Sequence, residues 1–301
     1  MKYFDLHCDT IGECHLQKQP LYRNHLHLDL SRGAEFSAWT QCFAIWIPDE
    51  MRGQQALDYF KAVHQTYVRE CAQNKTLVTP CIENSDFVRA ERLGTCGTVL
   101  TVEGGAVLGG NLDNIPYLAS CGVRMLTLTW NGTCEFGDGA MVTHPKGLTK
   151  FGRKAIPKLE QQRIVVDISH ASEPLFYDAA EIASKPLVAV CNHPRNLTNE
   201  QVQIIKQSGG LIGLNFHPPF LKEDGIATVD DLIAHAEHFL SLGAQDSLAV
   251  GSDFDGADLP QGIRGIEGIY AVFERFLQLG YSETLLNKIF YTNAQKFFVS
   301  L

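Results

Sequence analysis

Short apolar, β-branched segments alternate with longer amphipathic segments along the 301-residue chain. The apolar segments have the length of buried strands, and the amphipathic ones repeat apolar positions every three or four residues, as a helix packed on one face does. Eight strands are therefore predicted. They lie near Tyr3 to Cys8, Cys42 to Ile47, Gly97 to Val102, Arg124 to Thr129, Ile164 to Ile168, Leu187 to Cys191, Gly210 to Phe216 and Leu248 to Gly251.

Helices are predicted between these strands, and a helical segment closes the chain. They span Gln54 to Gln73, Asn111 to Ser120, Thr149 to Gln162, Glu173 to Ser184, Asn199 to Ser208, Thr228 to Leu242, Gly268 to Leu279 and Tyr281 to Val299. Alternating strands and helices indicate a parallel sheet, and eight repeats favour the α/β class with a closed (β/α)8 TIM-type barrel. No Pro-rich or Ser-rich linker interrupts the pattern, so residues 1–301 are predicted to form a single domain.

Three segments between the predicted elements are interpreted as loops. Glu13 to Ala38 is predicted to be a loop with short elements. Gly132 to Lys146, rich in glycine and polar residues, is a candidate active-site loop. The substrate pocket is expected to depend on this loop and on Pro218 to Gly225. Most remaining histidines are interpreted as surface or packing residues, and His144 is the exception because it lies in the candidate active-site loop.

The charge and cysteine content narrow the range of partners. The formal net charge of -9 argues against nucleic acid or an anionic membrane as the main partner, since both favour basic surfaces. The N-terminus enters a strand without the regions of a secretory leader, and no apolar run is long enough to span a bilayer. Nine scattered cysteines are predicted to be reduced, mostly buried thiols. These features predict a cytoplasmic enzyme.

Chemically distinctive side chains follow four of the predicted strands. They are His7, Asp9, Glu103, His170 and Asp253. In an α/β barrel the reactive groups lie at the carboxyl ends of the strands, so these side chains are expected at one rim. Two imidazoles and three carboxylates there would repel one another and lose hydration unless cations lay between them. The sequence therefore predicts a metal centre.

Each of these residues also has a simpler explanation when it is taken alone. Glu103 could begin a helix, Asp253 could cap one, and His170 could be a hydrogen-bonded core histidine. His7 and Asp9 are predicted to lie on one face of the first strand, because side chains alternate along a strand. The occurrence of all five at strand ends of one barrel favours metal binding over these separate explanations.

Motifs along nearly the whole chain follow the order of a known family. They are His7-x-Asp9-Thr10, Val102-Glu103-Gly104-Gly105, Leu126-Thr127-Leu128-Thr129, Gly147-Leu148-Thr149-x-x-Gly152, Val166-Asp167-Ile168-Ser169-His170, His193-Pro194-Arg195-Asn196-Leu197-Thr198 and Gly251-Ser252-Asp253-Phe254-Asp255-Gly256. In these motifs the chain resembles the membrane (renal) dipeptidase family of zinc peptidases. The resemblance implies an amidohydrolase-type barrel with two zinc ions, and a homodimer is implied in the same way.

The resemblance also implies a role for each candidate ligand. His7 and Asp9 would bind one zinc ion, and His170 would bind the second. Glu103 would bridge the two ions. Asp253 would lie beside the first ion and carry a proton from the attacking water to the leaving amine. Together these roles would place a reactive water between two zinc ions at neutral pH.

Three further residues are predicted to contact the substrate. Arg195 matches the family arginine that binds the terminal carboxylate of the substrate, for which a planar guanidinium is well suited. Trp130 replaces the family histidine that stabilises the oxyanion, and its indole N–H can donate one hydrogen bond but cannot carry a proton. Trp130 and the following Asn131 are therefore candidate substrate contacts, and the identity of the oxyanion donor stays open.

The end of the predicted sixth strand departs from the family pattern. Family members carry a Ser-His-Ser-Asn-like run there, and its histidine completes the second zinc site. This chain instead reads Pro186-Leu187-Val188-Ala189-Val190-Cys191-Asn192-His193-Pro194-Arg195, as if the run had been deleted. Three alternatives follow. His193 substitutes for the missing ligand, Cys191 serves as a thiolate ligand, or the second ion binds weakly or not at all.

The predicted function is hydrolysis of dipeptides with a free C-terminal carboxylate by a metal-activated water. The expected partner is a small peptide substrate, and the expected cofactor is zinc at two ions per chain. Two alternatives are retained. The same rim could act on another amide, such as an N-acyl amino acid or a cyclic amide. The chain could also be a non-catalytic peptide-binding homologue, because the metal histidine of the sixth strand is missing.

Overall fold

A closed ring of parallel strands forms the centre of the molecule, and the computed structural model describes residues 1–190 and 196–301. Within these residues the strands are β1 Lys2–Asp5, β2 Ala38–Trp46, β3 Val78–Pro80, β4 Cys96–Glu103, β5 Val123–Thr127, β6 Val165–Asp167, β7 Val188–Val190, β8 Leu211–Leu214 and β9 Leu248–Val250. All strands except β3 follow one another around the ring, and β9 pairs with β1 to close it. The structure confirms the predicted (β/α)8 TIM-type barrel.

Helices surround the ring and connect its strands. They are α1 Thr10–Gln17, α2 Leu30–Gly33, α3 Gly53–Gln73, α4 Asn84–Leu93, α5 Asn114–Ser120, α6 Lys150–Gln161, α7 Glu173–Ile182, α8 Asn199–Gln207, α9 Pro218–Leu221, α10 Val229–Ser241, α11 Ile269–Gln278, α12 Glu283–Asn287 and α13 Asn293–Val299. A π-helical turn, Lys288–Thr292, joins the last two. Within residues 1–190 and 196–301, no helix combines the length and apolar character that a bilayer crossing requires.

The sequence analysis missed β3 and α4 and placed the end of β1 too late. β3 has only three residues and pairs with the first part of β4 outside the ring, so it is too short for an alternating pattern. α4 is largely polar, with Phe87 and Ala90 as its buried residues. The predicted loop from Glu13 to Ala38 contains most of α1 and all of α2. Short or polar elements with few buried positions carry little periodic signal.

A layer of side chains inside the barrel forms the floor beneath the open end. Each strand of the ring contributes at least one buried residue to it: Phe4, Ala38, Cys42, Val99, Met125, Val165, Val188, Leu211 and Ala249. Phe298 of α13 joins the same cluster, so the C-terminal helix closes the amino end of the barrel. A second, larger cluster packs the outer faces of the strands against the helices. The carboxyl ends of the strands remain as the open face, where barrel enzymes place their reactive groups.

Candidate metal centre

His7 and Asp9 lie together just beyond the end of β1. His7 Nε2 is 3.1 Å from Asp9 Oδ2. The regular strand ends at Asp5, but Cys8, between the two residues, still forms a parallel bridge to Phe254 and backbone hydrogen bonds with β2. The Asp5 carboxylate accepts a hydrogen bond from the backbone N–H of His7 at 3.3 Å, and Asp9 occupies the N-cap position of α1. The bond to Asp5 and the pairing of Cys8 together position both side chains at the open face.

Asp253 joins this pair from the segment after β9. Its backbone N–H donates to the carbonyl of His7 at 3.2 Å, and its Oδ1 lies 3.6 Å from His7 Nε2. Potential ligand atoms of His7, Asp9 and Asp253 all lie within 4.8 Å of one another. Asp253 has a φ of +63°, a left-handed conformation that is uncommon for a residue with a side chain. Such local strain is often found at functional sites.

Glu103 links this group to His170. Glu103 ends β4, and its Oε2 lies 3.9 Å from His7 Nε2. Its other oxygen, Oε1, lies 2.8 Å from His170 Nε2. His170 follows β6 with a φ of +63°, and its Nδ1 lies 3.2 Å from Asn131 Oδ1. One carboxylate thus faces an imidazole on each side, which is the arrangement expected of a ligand that bridges two metal ions.

The buried carboxylates around His7 favour the binding of a cation. Burial lowers the pKa of His7, but Asp9, Glu103 and Asp253 outweigh it and raise that pKa well above its ordinary value. Burial raises the pKa of Asp9 to about 7, with Glu103 and Asp253 adding to the shift and His7 opposing it. Asp9 Oδ1 is buried and accepts no hydrogen bond from the described residues. The residues therefore fit a divalent metal, which would supply positive charge and occupy the unused oxygen.

Asn215, which the sequence analysis missed, fixes the orientation of Asp253. Its Nδ2 donates to Asp253 Oδ2 at 2.9 Å, and its Oδ1 accepts the backbone N–H of His217 at 2.7 Å. Because a backbone N–H only donates, the amide oxygen must face His217 and the NH2 group must face Asp253. Asn215 is 2% exposed. In the sequence Asn215 lies within the predicted strand Gly210 to Phe216, and a neutral amide there gives no signal of a role at the site.

A cavity of about 360 Å³ opens above these residues. Trp130 and Asn131 line it, as predicted for substrate contacts, and the Trp130 ring packs edge-on against Trp46 at 5.0 Å. His217, which the sequence analysis interpreted as a surface or packing residue, also lines the cavity, and its ring packs edge-on against Phe220 at 4.4 Å. His144 is not among the lining residues.

The two predicted pocket loops contribute unequally. Phe220 from the segment Pro218 to Gly225 lines the cavity. The candidate active-site loop from Gly132 to Lys146 contributes no lining residue, although Ala140 lies in an adjoining depression beside His170. Cys191, His193 and Arg195 lie outside the described residues, so their predicted roles stay predictions.

Comparisons with known proteins agree with this geometry. The family model described as membrane dipeptidase, peptidase family M19, matches residues 1–300. An uncharacterized Klebsiella pneumoniae protein from the pqqA 5′ region is 30% identical over 71% of this chain and 85% of its own. Dipeptidase 3 of Homo sapiens is 24% identical over 88% of this chain, but the match spans only 55% of the human protein.

A solved structure gives the same result for the fold. A metallopeptidase from Rhodobacter sphaeroides, crystallised with a phosphinate mimic of the dipeptide L-Ala-D-Ala, superimposes with a TM-score of 0.91. It is 26% identical, and the match covers 99% of this chain and 98% of that protein. Together with the match to the family model over residues 1–300, these likenesses show that the chain belongs to the membrane dipeptidase family, peptidase family M19.

Proposed function

We propose that this protein is a zinc-dependent dipeptidase that hydrolyses dipeptides with a free C-terminal carboxylate. The observation that carries the proposal is the Glu103 carboxylate, which lies between His7 and His170 with one oxygen toward each. Asp253 lies beside the same group and faces the cavity. Family membership supports a metal-dependent hydrolase. The choice of zinc rests on the family resemblance, because imidazole and carboxylate donors suit manganese and cobalt as well.

The proposed ligands divide between two ions. His7, Asp9 and Glu103 would hold the first, and Glu103 and His170 would hold the second. When bound, divalent ions supply a water nucleophile at neutral pH and polarise the peptide carbonyl. The remaining donor for the second ion is proposed to come from His193 or Cys191, and weak binding of that ion is the third alternative.

Asp253 is proposed to move the proton. Its Oδ1 faces His7 and the cavity, while Asn215 holds its Oδ2. As the C–N bond breaks, the water oxygen joins the acyl carbon, and Asp253 transfers a water proton to the leaving amine. Asn131 and Trp130 line the cavity beside His170 and would contact the reacting amide. The products are two free amino acids.

Arg195 is proposed to bind the C-terminal carboxylate of the dipeptide. This role rests on its match to the family motif and on the fit between a guanidinium and a carboxylate. The Arg195→Ala variant should lose far more kcat/KM for a dipeptide than for the same dipeptide amide, because only the former has the carboxylate. An equal loss for both substrates would contradict the role and favour the alternative of a hydrolase for another amide.

The test of the proposed function combines metal analysis with turnover. Protein purified without chelators should contain about two zinc ions per chain and hydrolyse members of a panel of L,L and L,D dipeptides. The Asp253→Asn variant should keep its fold and lose turnover, which excludes a contaminating peptidase. One ion or none, with no turnover after zinc is added back, would overturn the proposal in favour of a peptide-binding protein.

The cellular setting stays a prediction. The net charge of -9 supports the absence of nucleic acid and anionic membrane partners, and the cysteine pattern supports a reducing cytoplasm. A homodimer rests on the resemblance alone. Fractionation of cells and light scattering of the purified protein test these two points directly.

A further inference from the structure

Among the described residues, neither close packing nor backbone conformation requires a glycine at position 12. Gly12 lies in the first turn of α1 and lines the cavity above the metal centre. A Cβ atom built on it would have no atom within 4 Å, and its φ is outside the left-handed range. Among the glycines whose surroundings lie entirely within the described residues, it alone combines these two properties.

Two other helical glycines, Gly33 and Gly152, are required by close packing. A Cβ at Gly33 would lie 2.2 Å from the Trp39 ring, and a Cβ at Gly152 would lie 2.6 Å from the carbonyl oxygen of Phe136. Both positions exclude a side chain because of close packing. Glycine in a helix also costs stability relative to alanine, since it loses more backbone entropy on folding. At Gly12 that cost is not offset by any contact that glycine alone permits.

The missing side chain leaves a recess in the cavity wall. α1 packs against α3 at this point, and Leu16 of α1 and Tyr59 of α3 line the same cavity as Gly12. Leu16 is 54% exposed, although it is a large apolar side chain. Trp46 adds an aromatic surface to the cavity from the end of β2. Apolar and aromatic surfaces of Leu16, Tyr59 and Trp46 therefore face the cavity beside Gly12, and a bulky apolar side chain bound there would cover them.

We infer that the recess at Gly12 accepts the N-terminal side chain of the substrate and gives preference to dipeptides with a bulky apolar or aromatic N-terminal residue. This inference rests on the proposed dipeptidase function. α1 leads from β1 to β2, and β7 lies three strands from β1 in one direction and five in the other. The proposed carboxylate-binding Arg195 follows β7 in the sequence. If the C-terminal carboxylate of a dipeptide binds on the β7 side of the barrel, as proposed, its N-terminal residue would extend toward α1.

The test fills the recess and measures selectivity. Gly12→Leu should lower kcat/KM for Phe-Ala by about 10- to 100-fold relative to Ala-Ala, mainly through a higher KM, because it fills the space that phenylalanine needs. The kcat/KM for Ala-Phe should change by the same factor as that for Ala-Ala. Gly12→Ala should raise the Tm by about 1–2 °C and cause a smaller loss in the same direction. The matched control is Ala234→Leu, which adds a similar side chain at an exposed position on α10.

Three outcomes overturn the inference. They are equal losses for Phe-Ala and Ala-Ala, a selective loss for Ala-Phe, and a wild-type enzyme that does not prefer Phe-Ala over Ala-Ala. If Gly12→Leu does not fold, Gly12→Ala alone decides, because its Cβ has open space. Failure of the proposed function is a different result, since the wild-type protein would then hydrolyse no dipeptide of the panel.

Discussion

Each histidine of the metal centre lies two or three residues after a buried aspartate, Asp5 before His7 and Asp167 before His170. The two aspartates differ in how far away in the sequence their hydrogen-bond partners lie. On the His7 side, Asp5 accepts hydrogen bonds from the backbone N–H and the hydroxyl of Ser252, at 2.8 Å and 2.6 Å. On the His170 side, Asp167 accepts the same two bonds from Ser169, also at 2.8 Å and 2.6 Å. The first aspartate connects β1 to the segment after β9, across the closure of the barrel. The second closes a local turn and also accepts a hydrogen bond from the Thr127 hydroxyl of the neighbouring strand β5 at 2.7 Å.

The His7 side is the group around the first proposed ion, and the His170 side is the group around the second. The two sides also differ in the number of potential ligands that the described residues supply. The His7 side brings together His7, Asp9 and Asp253, with Glu103 adjacent. The His170 side has His170 and Glu103, and its other predicted ligands lie outside the described residues. The His7 side therefore needs the closed barrel, since its ligands come from opposite ends of the chain. The His170 side instead depends on a local turn and on neighbours within the middle of the chain, namely Thr127, Asn131 and the shared Glu103.

Removal of the shared carboxylate should have the largest effect. Glu103→Gln keeps the size of the side chain but loses the negative charge that faces both histidines. We expect kcat/KM to fall by about 10³-fold or more and both metal ions to be weakened, because the metal contributes several kcal/mol to the reaction. Metal analysis after dialysis and steady-state kinetics check this. Retention of two tightly bound ions would show that Glu103 does not join the two sides.

The next prediction separates the two sides. Titration of the native enzyme with a chelator should remove the ion of the His170 side first, because the sequence lacks the histidine with which the family pattern completes that site. We expect at least about a 100-fold difference in affinity, since even an outer partner of a metal ligand is worth about 10- to 100-fold. His170→Asn should abolish this weaker phase, and His7→Asn should abolish the tighter one. Loss of the tighter phase in His170→Asn would contradict the weaker binding of the ion on the His170 side.

Asn215→Asp should weaken the His7 side alone. The variant keeps the shape of the side chain and its acceptor for His217, but it places a second carboxylate against Asp253. We expect a loss of metal affinity of about 10- to 100-fold in the tighter phase, measured by competition with a chelator. Asn293→Asp is the matched control, because Asn293 is a buried asparagine that donates to Gln245 and Leu248 in the amino-end half of the fold. An equal loss of metal affinity in Asn215→Asp and Asn293→Asp would show that the loss comes from a general decrease in protein stability.

The sequence predicted these ligands because barrels concentrate reactive groups at strand ends. His7, Glu103, His170 and Asp253 follow four different strands, and closure of the ring brings them within a few ångströms. His7 and Asp9 lie close together, as predicted, and Cys8 between them remains paired with β2 and with the segment after β9 although β1 ends at Asp5. The Asp5 carboxylate, which binds the backbone N–H of His7 and the side chain of Ser252, is a tertiary contact that strand periodicity does not encode.

Features without a chemical signature could not be predicted in this way. Asn215 is neutral, and its partner Asp253 is 38 residues away in sequence. Gly12 is informative only because the space around it is open, which a sequence does not show. The extra strand β3 has three residues and pairs outside the ring, so its hydrophobic pattern is too short to identify.

The pKa of a third histidine, the half-buried His235, shifts in the direction opposite to that of His7. His235 on α10 packs against Phe239 at 5.0 Å, and no described group accepts or donates a hydrogen bond at its Nδ1. Burial lowers the pKa of His235 to about 4, and His238 adds to the shift, whereas His7 has its pKa raised by three carboxylates.

The lowered pKa of His235 predicts a loss of stability in acid. The unfolded state takes up the proton near pH 6.5 and the folded state only near pH 4, so stability falls as the pH drops through this range. We expect the free energy of unfolding of the metal-free protein to fall between pH 7 and pH 5 by about 1–2 kcal/mol more than that of His235→Leu. Urea unfolding at both pH values measures this difference. Parallel losses in the two proteins would mean that the acid sensitivity comes from the carboxylates and histidines of the metal centre instead.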